Sequence, residues 1–351
     1  MKSATVLGLM SGTSLDGLDL CLVRFDRINK QYKFEILKSQ ALDYEAVMRS
    51  KLAESYLLSG ESLMLLNIEL GKYFGEKVNQ FLKDSLIKPD YIASHGHTVF
   101  HQPEKKMTLQ IGDGISIFAE TGIPVIHDFR SLDVALGGQG APLVPIGDLY
   151  LFNKYAACLN FGGIANISFQ SGNKRVAYDI CPFNMAFSDI TAEINLPYDD
   201  KGKIAESGSI HIGLLNSLNQ LEFYNQNGPK SLGIEWYKTN FRKTLKTFKI
   251  SSKDQLRTVA EHVCTQIAIT LKNAPKGNVL VTGGGAYNDF LIKLLKSKVQ
   301  HKIVVPNSEL IEFKEAIIFA FLGWLRINNE INVLKTVTGA KKDSSSGIIV
   351  K

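Results

Sequence analysis

A loop near the start of the chain has the residue types that bind phosphate and a hard metal ion. Residues 11–19 have the sequence SGTSLDGLD and lie between two apolar, β-type runs. Gly12 and Gly17 allow a tight turn whose backbone N–H groups come close to an anion. Asp16 and Asp19 would hold Mg²⁺, which commonly bridges carboxylates and phosphates. Taken alone, such a loop is most often an ordinary turn. The residues assigned to phosphate here are Gly12, Thr13, Ser14, Leu15, Asp16, Gly17, Leu18 and Asp19.

Two more glycine turns follow β-type runs, at residues 162–163 and 283–285. None of the three turns fits GxGxxG or the lysine-bearing phosphate loop, so each is a weak signal by itself. Together they predict a nucleotide held between two lobes, with one phosphate hairpin in each lobe and the last turn at the nucleoside. The second hairpin is assigned Asn160, Gly162, Gly163 and Asn166, and the nucleoside turn is assigned Gly283, Gly284 and Gly285.

Strands that alternate with helices must position these loops. Residues 62–83 and 255–273 each place apolar side chains at helical spacing, which predicts two amphipathic helices. Asn288 and Asp289 suit the start of a helix directly after the third glycine turn. Short β-type runs between such helices favour the α/β class.

The length of 351 residues allows two domains. Residues 136–145, with three glycines and two prolines, form the sharpest change of composition and predict a hinge between lobes. We therefore expect an N-terminal lobe over residues 1–135, to which a tail of residues 336–351 returns, and a C-terminal lobe over residues 136–335.

Charge and composition narrow the class of partner and the compartment. The net charge is +6, but the lysines and arginines are scattered, which favours an anionic small substrate over nucleic acid. Four widely spaced cysteines fit a reducing cytosol better than a disulfide framework or a zinc site. Neither a signal peptide nor a membrane-length apolar run is present, so we expect a cytoplasmic protein that does not bind membranes.

The order of the motifs resembles the superfamily of actin, sugar kinases and heat-shock chaperones. Within it, nearly the whole chain resembles the 1,6-anhydro-N-acetylmuramic acid kinases. The resemblance implies a two-lobed, actin-like (ribonuclease H-like) α/β fold with the nucleotide cleft between the lobes. It also implies ATP and Mg²⁺ as cofactors, and a homodimer. The matching segments are GLMSGTSLDGLD (8–19), SHGHTVFH (94–101), LQIGDG (109–114), DFRSLDVALGGQGAPLVP (128–145), LNFGGIANIS (159–168), GPKSLGIEW (228–236), VTGGGAYND (281–289) and TGA (338–340).

The resemblance implies that the anhydro ring of the amino sugar is opened and phosphorylated with ATP, giving N-acetylmuramic acid 6-phosphate during cell-wall recycling. Water attack at C1 needs a carboxylate base, whereas the departing O6 can attack the γ-phosphate and needs no separate acid. Asp179 is the best candidate, since it follows an apolar strand and matches the family's catalytic aspartate; a turn-capping role is the alternative. The family pattern DTGPGN is altered here, with Ile180, Cys181 and Phe183 at three of its positions.

The sugar-binding residues are also assigned through the resemblance. His95, His97 and Thr98 match a sugar-contact turn, although three nearby histidines, the third being His101, could instead suggest zinc. Arg130 could bind the lactyl carboxylate of the sugar in a bidentate manner or form a salt bridge between lobes.

Glu315 could accept hydrogen bonds from the sugar or simply favour the first turn of its helix.

Two rival functions remain open from the sequence. The altered residues 180–183 motivate a kinase of a different sugar. A nucleotide-binding regulator that has lost catalysis would keep the same glycine turns.

Overall fold

The computed structural model describes residues 2–12, 15–29, 31–226 and 230–351. The chain divides into two compact units, of which unit 1 is Met1–Leu151 with Phe313–Lys351 and unit 2 is Phe152–Glu312. Each unit has its own sheet and its own apolar core.

Groups of strands are separated by helices along the chain. In chain order the strands are β1 (Ser3–Ser11), β2 (Gly17–Ile28), β3 (Gln31–Asp43), β4 (Tyr91–Ser94), β5 (His97–Gln102), β6 (Met107–Ile111), β7 (Val125–His127), β8 (Ala157–Phe161), β9 (Ile164–Ser171), β10 (Lys174–Pro182), β11 (Asn278–Thr282), β12 (Lys302–Val304) and β13 (Ile348–Val350). The helices are α1 (Ala46–Ala53), α2 (Gly60–Leu82), α3 (Gly114–Thr121), α4 (Ser131–Ala135), α5 (Pro145–Tyr150), α6 (Asn184–Ala192), α7 (Lys203–Ser207), α8 (Ile212–Asn219), α9 (Ile234–Trp236), α10 (Arg242–Lys246), α11 (Ser252–Leu271), α12 (Asp289–Lys298), α13 (Ser308–Ile327) and α14 (Lys335–Thr338).

The large sheets of the two units share one topology, and β5 and β6 form a separate two-stranded sheet. In unit 1, β1, β2 and β3 form an antiparallel meander, β4 lies parallel to β1, and β7 lies parallel to β4. In unit 2, β8, β9 and β10 form the same meander, β11 lies parallel to β8, and β12 lies parallel to β11. Strand β13 adds an antiparallel edge to the first sheet. This repeated ribonuclease H-like order confirms the predicted actin-like α/β fold class.

Both amphipathic helices predicted from the sequence are present. Helix α2 begins after Ser59, whose hydroxyl accepts from the Ser62 amide, and helix α11 begins after Ser251, whose hydroxyl accepts from the Asp254 amide. Their apolar faces are buried in the cores of unit 1 and unit 2, respectively. The buried positions include Leu66, Leu70, Phe74, Val78 and Phe81 of α2 and Leu256, Val259, Ala260, Val263, Ile267 and Leu271 of α11.

The boundaries between the two units lie at different residues from those predicted for the lobes. The chain enters unit 2 after Leu151 rather than after residue 135, and it returns at Phe313 rather than near residue 336. Close packing explains the difference. A side chain at Gly8 in β1 would overlap the backbone of Ala316 in α13, and one at Gly147 in α5 would overlap Ile318. Helices α5 and α13 therefore pack with the first sheet.

The structure bears on the predictions about membrane-spanning segments and cysteines. Among the described residues, no helix is both long enough and apolar enough to cross a bilayer. All four cysteines are buried, and none of them forms a disulfide.

A buried histidine ties the helices of unit 2 together. The Nδ1–H of His262 donates to Asn219 Oδ1 at 2.7 Å, and the Nε2 accepts from the Tyr224 hydroxyl at 2.9 Å. This arrangement requires the neutral imidazole. Burial lowers the pKa of His262 to about 3, so the ring stays neutral in the folded protein.

The buried His262 makes unit 2 sensitive to acid. Its pKa in the folded protein lies below the value of about 6.5 expected in the unfolded chain, so only the unfolded chain gains this proton as the pH falls from 6.5 towards 3. We expect His262→Gln to cost less stability at pH 5 than at pH 7, by about 2 kcal/mol for one proton. Urea unfolding of both proteins at both pH values measures this; an equal cost at both would contradict it. Other titrating groups cancel in the comparison.

Candidate active site

The first predicted phosphate hairpin joins β1 to β2. Its strands pair with each other as far as Ser11 and Leu18, and β2 begins at Gly17. Leu15 has a φ of 60°, and its amide donates to the Gly12 carbonyl at 3.4 Å. The side chain of Leu15 packs on the core and that of Leu18 is fully buried, so only their backbone groups could face a phosphate. Two further residues assigned to phosphate, Thr13 and Ser14, lie outside the described residues.

Three buried polar side chains, Ser11, Tyr44 and His97, lie together where β1 enters this hairpin. The Tyr44 hydroxyl donates to Ser11 Oγ at 2.6 Å, and the same oxygen lies 3.4 Å from His97 Nδ1. Burial lowers the pKa of His97, while a hydrogen bond to the Gly12 backbone opposes the shift. The sequence assigned His97 to the sugar, and the structure shows that it contacts Ser11 and the Gly12 backbone of the first hairpin. Thr98, half-buried, follows it in β5.

The two carboxylates of the hairpin differ in exposure. Asp16 is exposed, and its Oδ1 accepts from the Gly17 amide at 3.1 Å, whereas Asp19 is half-buried in β2. Burial is the main cause of the raised pKa of Tyr44, and the charges of both aspartates add to it. Two carboxylates near one hydroxyl suit Mg²⁺, which takes one or two carboxylates and completes its shell with water and phosphate.

The described residues contain no group of three or more His, Cys, Asp or Glu side chains able to hold a metal. The zinc alternative for the three histidines at 95, 97 and 101 therefore has no support in this part of the chain.

The second predicted phosphate hairpin joins β8 to β9 in unit 2. Asn160 faces Asn166 across the strands, and Gly162 and Gly163 form the turn. The start of α6 lies against this turn, since the Asn184 amide donates to the Gly162 carbonyl at 3.1 Å. The Phe183 and Met185 amides donate to the Gly163 carbonyl. Helix α6 thus fixes the hairpin through amides that would otherwise lack partners.

The third glycine turn packs directly against the second hairpin. Gly283 has a φ of 83°, and a side chain there would meet Asn160 Oδ1 at 2.6 Å. A side chain at Gly285 would overlap the Phe183 ring, which stacks on Phe161 at a centroid distance of 4.6 Å. These glycines are needed for close packing, so the second hairpin and the third glycine turn form one packed structure.

A cavity of about 790 Å³ in unit 2 opens beside this turn. Of the three glycines assigned to the nucleoside, Gly284 and Gly285 line it. Sequence reasoning did not assign the other lining residues to this cavity, and apart from Asn184 and those of the 281–289 segment they belong to no motif. The other lining residues are Asn184, Phe187, Ser188, Tyr198, Asp199, Asp200, Lys201, Ala286, Tyr287, Asn288, Asp289, Val305, Pro306, Ser308 and Ile311.

Asp179 lies near the end of β10, where a bulge between it and Cys181 shifts the register with β9. Its Oδ2 accepts from the Leu232 amide at 2.8 Å and the Ser231 hydroxyl at 3.2 Å. The described residues make no hydrogen bond to Oδ1. Burial raises the pKa of Asp179, and the two bonds to Oδ2 lower it. The Ser231 partner was missed, although residue 231 lies within the matching 228–236 segment.

The altered residues after Asp179 have buried side chains. Ile180, Cys181 and Phe183 are all buried in the core of unit 2. The space that Phe183 occupies exists because Gly285 has no side chain. The bulky residues are therefore accommodated within the core.

Arg130 is held by residues of unit 1. Its Nε and Nη2 donate to His95 Nε2 at 3.1 and 2.9 Å, and its Nη1 donates to the Gly140 carbonyl at 2.7 Å. The His95 Nδ1–H donates to the Gly96 carbonyl at 2.8 Å, which leaves Nε2 as an acceptor. Burial first, and then the Arg130 charge, lower the pKa of His95 to about 3. His95, assigned to the sugar, uses both ring nitrogens inside the protein.

Glu315 lies in α13, next to the buried ion pair between Lys314 and Asp148. The Glu315 side chain is exposed, yet the protein atoms around it raise its pKa, and the charges of Arg130 and Lys314 oppose that shift. The charges of Arg130 and Glu315 therefore interact within unit 1.

A family model described as "AnmK: Anhydro-N-acetylmuramic acid kinase" matches residues 4–351. The anhydro-N-acetylmuramic acid kinase of Vibrio cholerae is 36% identical, with 98% of this chain and 97% of that protein covered. That of Mannheimia succiniciproducens is 37% identical, with 99% of each covered.

Solved structures are more distant. A ROK family glucokinase from Streptomyces griseus, in complex with glucose and AMPPNP, has a TM-score of 0.42 at 10% identity, with 91% of this chain and 98% of that chain covered. An activator of the 2-hydroxyisocaproyl-CoA dehydratase from Clostridium difficile, with bound ADPNP, has a TM-score of 0.44 at 13% identity, with 89% and 96% covered. At these TM-scores neither structure indicates a ligand or a reaction for this chain.

The packing of the glycine turn predicts that alanine costs more stability at Gly285 than at Gly284. Gly285→Ala would force the Phe161 and Phe183 rings apart and should lower the free energy of unfolding by at least about 2 kcal/mol. At Gly284 a new methyl would meet only Asn184 Nδ2, at 3.9 Å, so Gly284→Ala should stay within about 0.5 kcal/mol of the parent. Urea denaturation measures both, and equal losses would contradict the packing argument.

Proposed function

This chain belongs to the anhydro-N-acetylmuramic acid kinase family and is a phosphotransferase, and from this premise we propose its reaction in detail. It uses ATP to open 1,6-anhydro-N-acetylmuramic acid with water and to phosphorylate O6, giving N-acetylmuramic acid 6-phosphate and ADP. The observation that carries the proposal is the geometry of Asp179, whose Oδ2 is held while Oδ1 is left for a water molecule.

Asp179 acts as the general base. It takes a proton from water as the water oxygen bonds to C1 of the sugar and the C1–O6 bond breaks. O6 then attacks the γ-phosphate and ADP departs, so phosphorus takes the place of a proton on the leaving oxygen. The raised pKa of Asp179 makes it a stronger base than an exposed carboxylate.

ATP phosphates bind the two glycine hairpins. In unit 1 the backbone of Gly12, Leu15 and Gly17 faces the anion, and Asp16 and Asp19 hold Mg²⁺, which neutralises phosphate charge when bound. Leu18 contributes only backbone. In unit 2 the hairpin residues are Asn160, Gly162, Gly163 and Asn166.

The nucleoside occupies the cavity of about 790 Å³ beside Gly283, Gly284 and Gly285. Such a volume is in the range of cavities that hold small molecules. Two aromatic side chains, Tyr198 and Tyr287, line it and offer flat faces to a base.

The polar residues of unit 1 select the sugar. Arg130 keeps one N–H on each Nη atom after its bonds to His95 and Gly140, and this pair fits a carboxylate such as the lactyl group. Glu315 accepts from sugar hydroxyls. Thr98 is also proposed to contact the sugar, whereas His95 and His97 support Arg130 and the hairpin.

A role in cell-wall recycling implies a cytoplasmic enzyme. The resemblance of the chain to its family further implies a homodimer. Light scattering in solution distinguishes the dimer from a monomer.

A panel of sugars tests the reaction. ADP release should be fastest with 1,6-anhydro-N-acetylmuramic acid and close to background with glucose and N-acetylglucosamine. Activity on the last two alone would favour a kinase of a different sugar, and ATP binding without turnover on any sugar would favour a regulator.

Loss of the base should separate chemistry from binding. Asp179→Asn should lose at least about 10²-fold in kcat and keep the Kd for ATP, since the side chain keeps its shape but cannot take a proton. The exposed Asp84→Asn is the matched control and should behave as the parent. Ser231→Ala removes a bond that favours the ionised carboxylate, so the acidic limb of its pH–kcat profile should move to higher pH. A near-normal kcat for Asp179→Asn would refute the assignment.

A further inference from the structure

The glycine-rich loop at 136–140 is held by the last part of the chain. The Gln139 amide donates to the Thr338 carbonyl at 2.8 Å, and the Lys341 amide donates to the Leu136 carbonyl at 3.2 Å. These bonds keep the loop inside unit 1. The segment predicted to be a hinge is therefore fixed to residues 338–341.

One buried carboxylate joins the two segments. Asp133 Oδ1 accepts from the Thr338 hydroxyl, and Oδ2 accepts from the Gly140 amide, both at 2.8 Å. Asp133 and Thr338 are 0% and 1% exposed. A buried carboxylate that loses such a donor retains the full penalty of its missing partner, so both bonds strongly constrain the loop.

The shape of the loop depends on this carboxylate. A side chain at Gly138 would overlap Asp133 Oδ2, and Gly140 has a φ of 66° that other residues rarely adopt. The carbonyl of Gly140 accepts from Arg130 Nη1 at 2.7 Å. Asp133 therefore holds the amide of the same residue whose carbonyl orients the guanidinium.

We propose that Asp133 and Thr338 form a positioning clamp for Arg130, which directs its remaining N–H pair towards a carboxylate on the sugar. The inference rests on the proposed function, because Arg130 is assigned there to the lactyl carboxylate. His95 fixes one edge of the guanidinium and the clamped Gly140 carbonyl fixes another. The clamp touches no substrate and acts only through Arg130.

The clamp makes a prediction that depends on the sugar. Thr338→Val keeps the size of the side chain and removes the donor, so KM for 1,6-anhydro-N-acetylmuramic acid should rise about 10-fold, as expected when a bond to a charged group is lost. With 1,6-anhydro-N-acetylglucosamine, which lacks the lactyl carboxylate, kcat/KM should not change. KM for ATP should stay constant, and Thr338→Ser, which restores the hydroxyl, should behave as the parent. Equal losses on both sugars would overturn the proposal.

Combining variants isolates the path through Arg130. Thr338→Val added to Arg130→Gln should cause no further loss, because the clamp has no other route to the substrate. Full additivity would overturn the proposal. A parent enzyme that turns over neither anhydro sugar would overturn the proposed function instead.

Hydrogen exchange at Arg130 tests the clamp even if the enzyme turns over neither anhydro sugar. Hydrogen exchange of the Arg130 Nε–H, followed by NMR in arginine-labelled protein, should be slow in the parent and in Thr338→Ser and faster in Thr338→Val. Unchanged exchange in a folded Thr338→Val would overturn the clamp.

Discussion

The position of Arg130 in unit 1 depends on the His95 imidazole, which stays neutral. His95 can accept from Arg130 only while its Nε2 carries a lone pair, and a protonated ring would place two cations in contact. Burial first, and then the Arg130 charge, lower the pKa of His95 to about 3 and so keep that lone pair. The direction of Arg130, and with it the use of the Gly140 carbonyl, follows from this neutral ring.

In unit 2 the glycine turn and the second hairpin are held mainly by close packing. The Phe161–Phe183 stack fills the space beneath the glycine turn, and Gly285 leaves room for it. The start of α6 then holds the second hairpin through backbone bonds. Because these constraints are apolar or involve only the backbone, a family position that is usually small can carry Phe183 while Asp179 keeps its place on β10.

The sequence predicted the features that depend on local pattern. The apolar spacing in α2 and α11 and the cap at Asn288, which accepts from the Leu291 amide, are all confirmed. The unit boundaries and the role of residues 137–140 depended on contacts between distant segments, such as Thr338 with Asp133. No spacing rule reveals such a pair. The partners of Asp179 and the cavity beside Gly284 were missed for the same reason, since residues far apart along the chain supply them.

The shared topology explains why the site residues occur where they do along the chain. In each unit the proposed phosphate loop is the hairpin between the first two strands of the meander, β1–β2 or β8–β9. What differs is the support, which is the polar Ser11, Tyr44 and His97 group in unit 1 and helix α6 in unit 2. The carboxylates follow the same division, since Asp16 and Asp19 belong to the first hairpin and its second strand, and Asp179 lies on the third strand of unit 2, with one oxygen held. A shared fold therefore supplies two loops of the same kind, and the residues packed beneath each loop determine what chemistry it can perform.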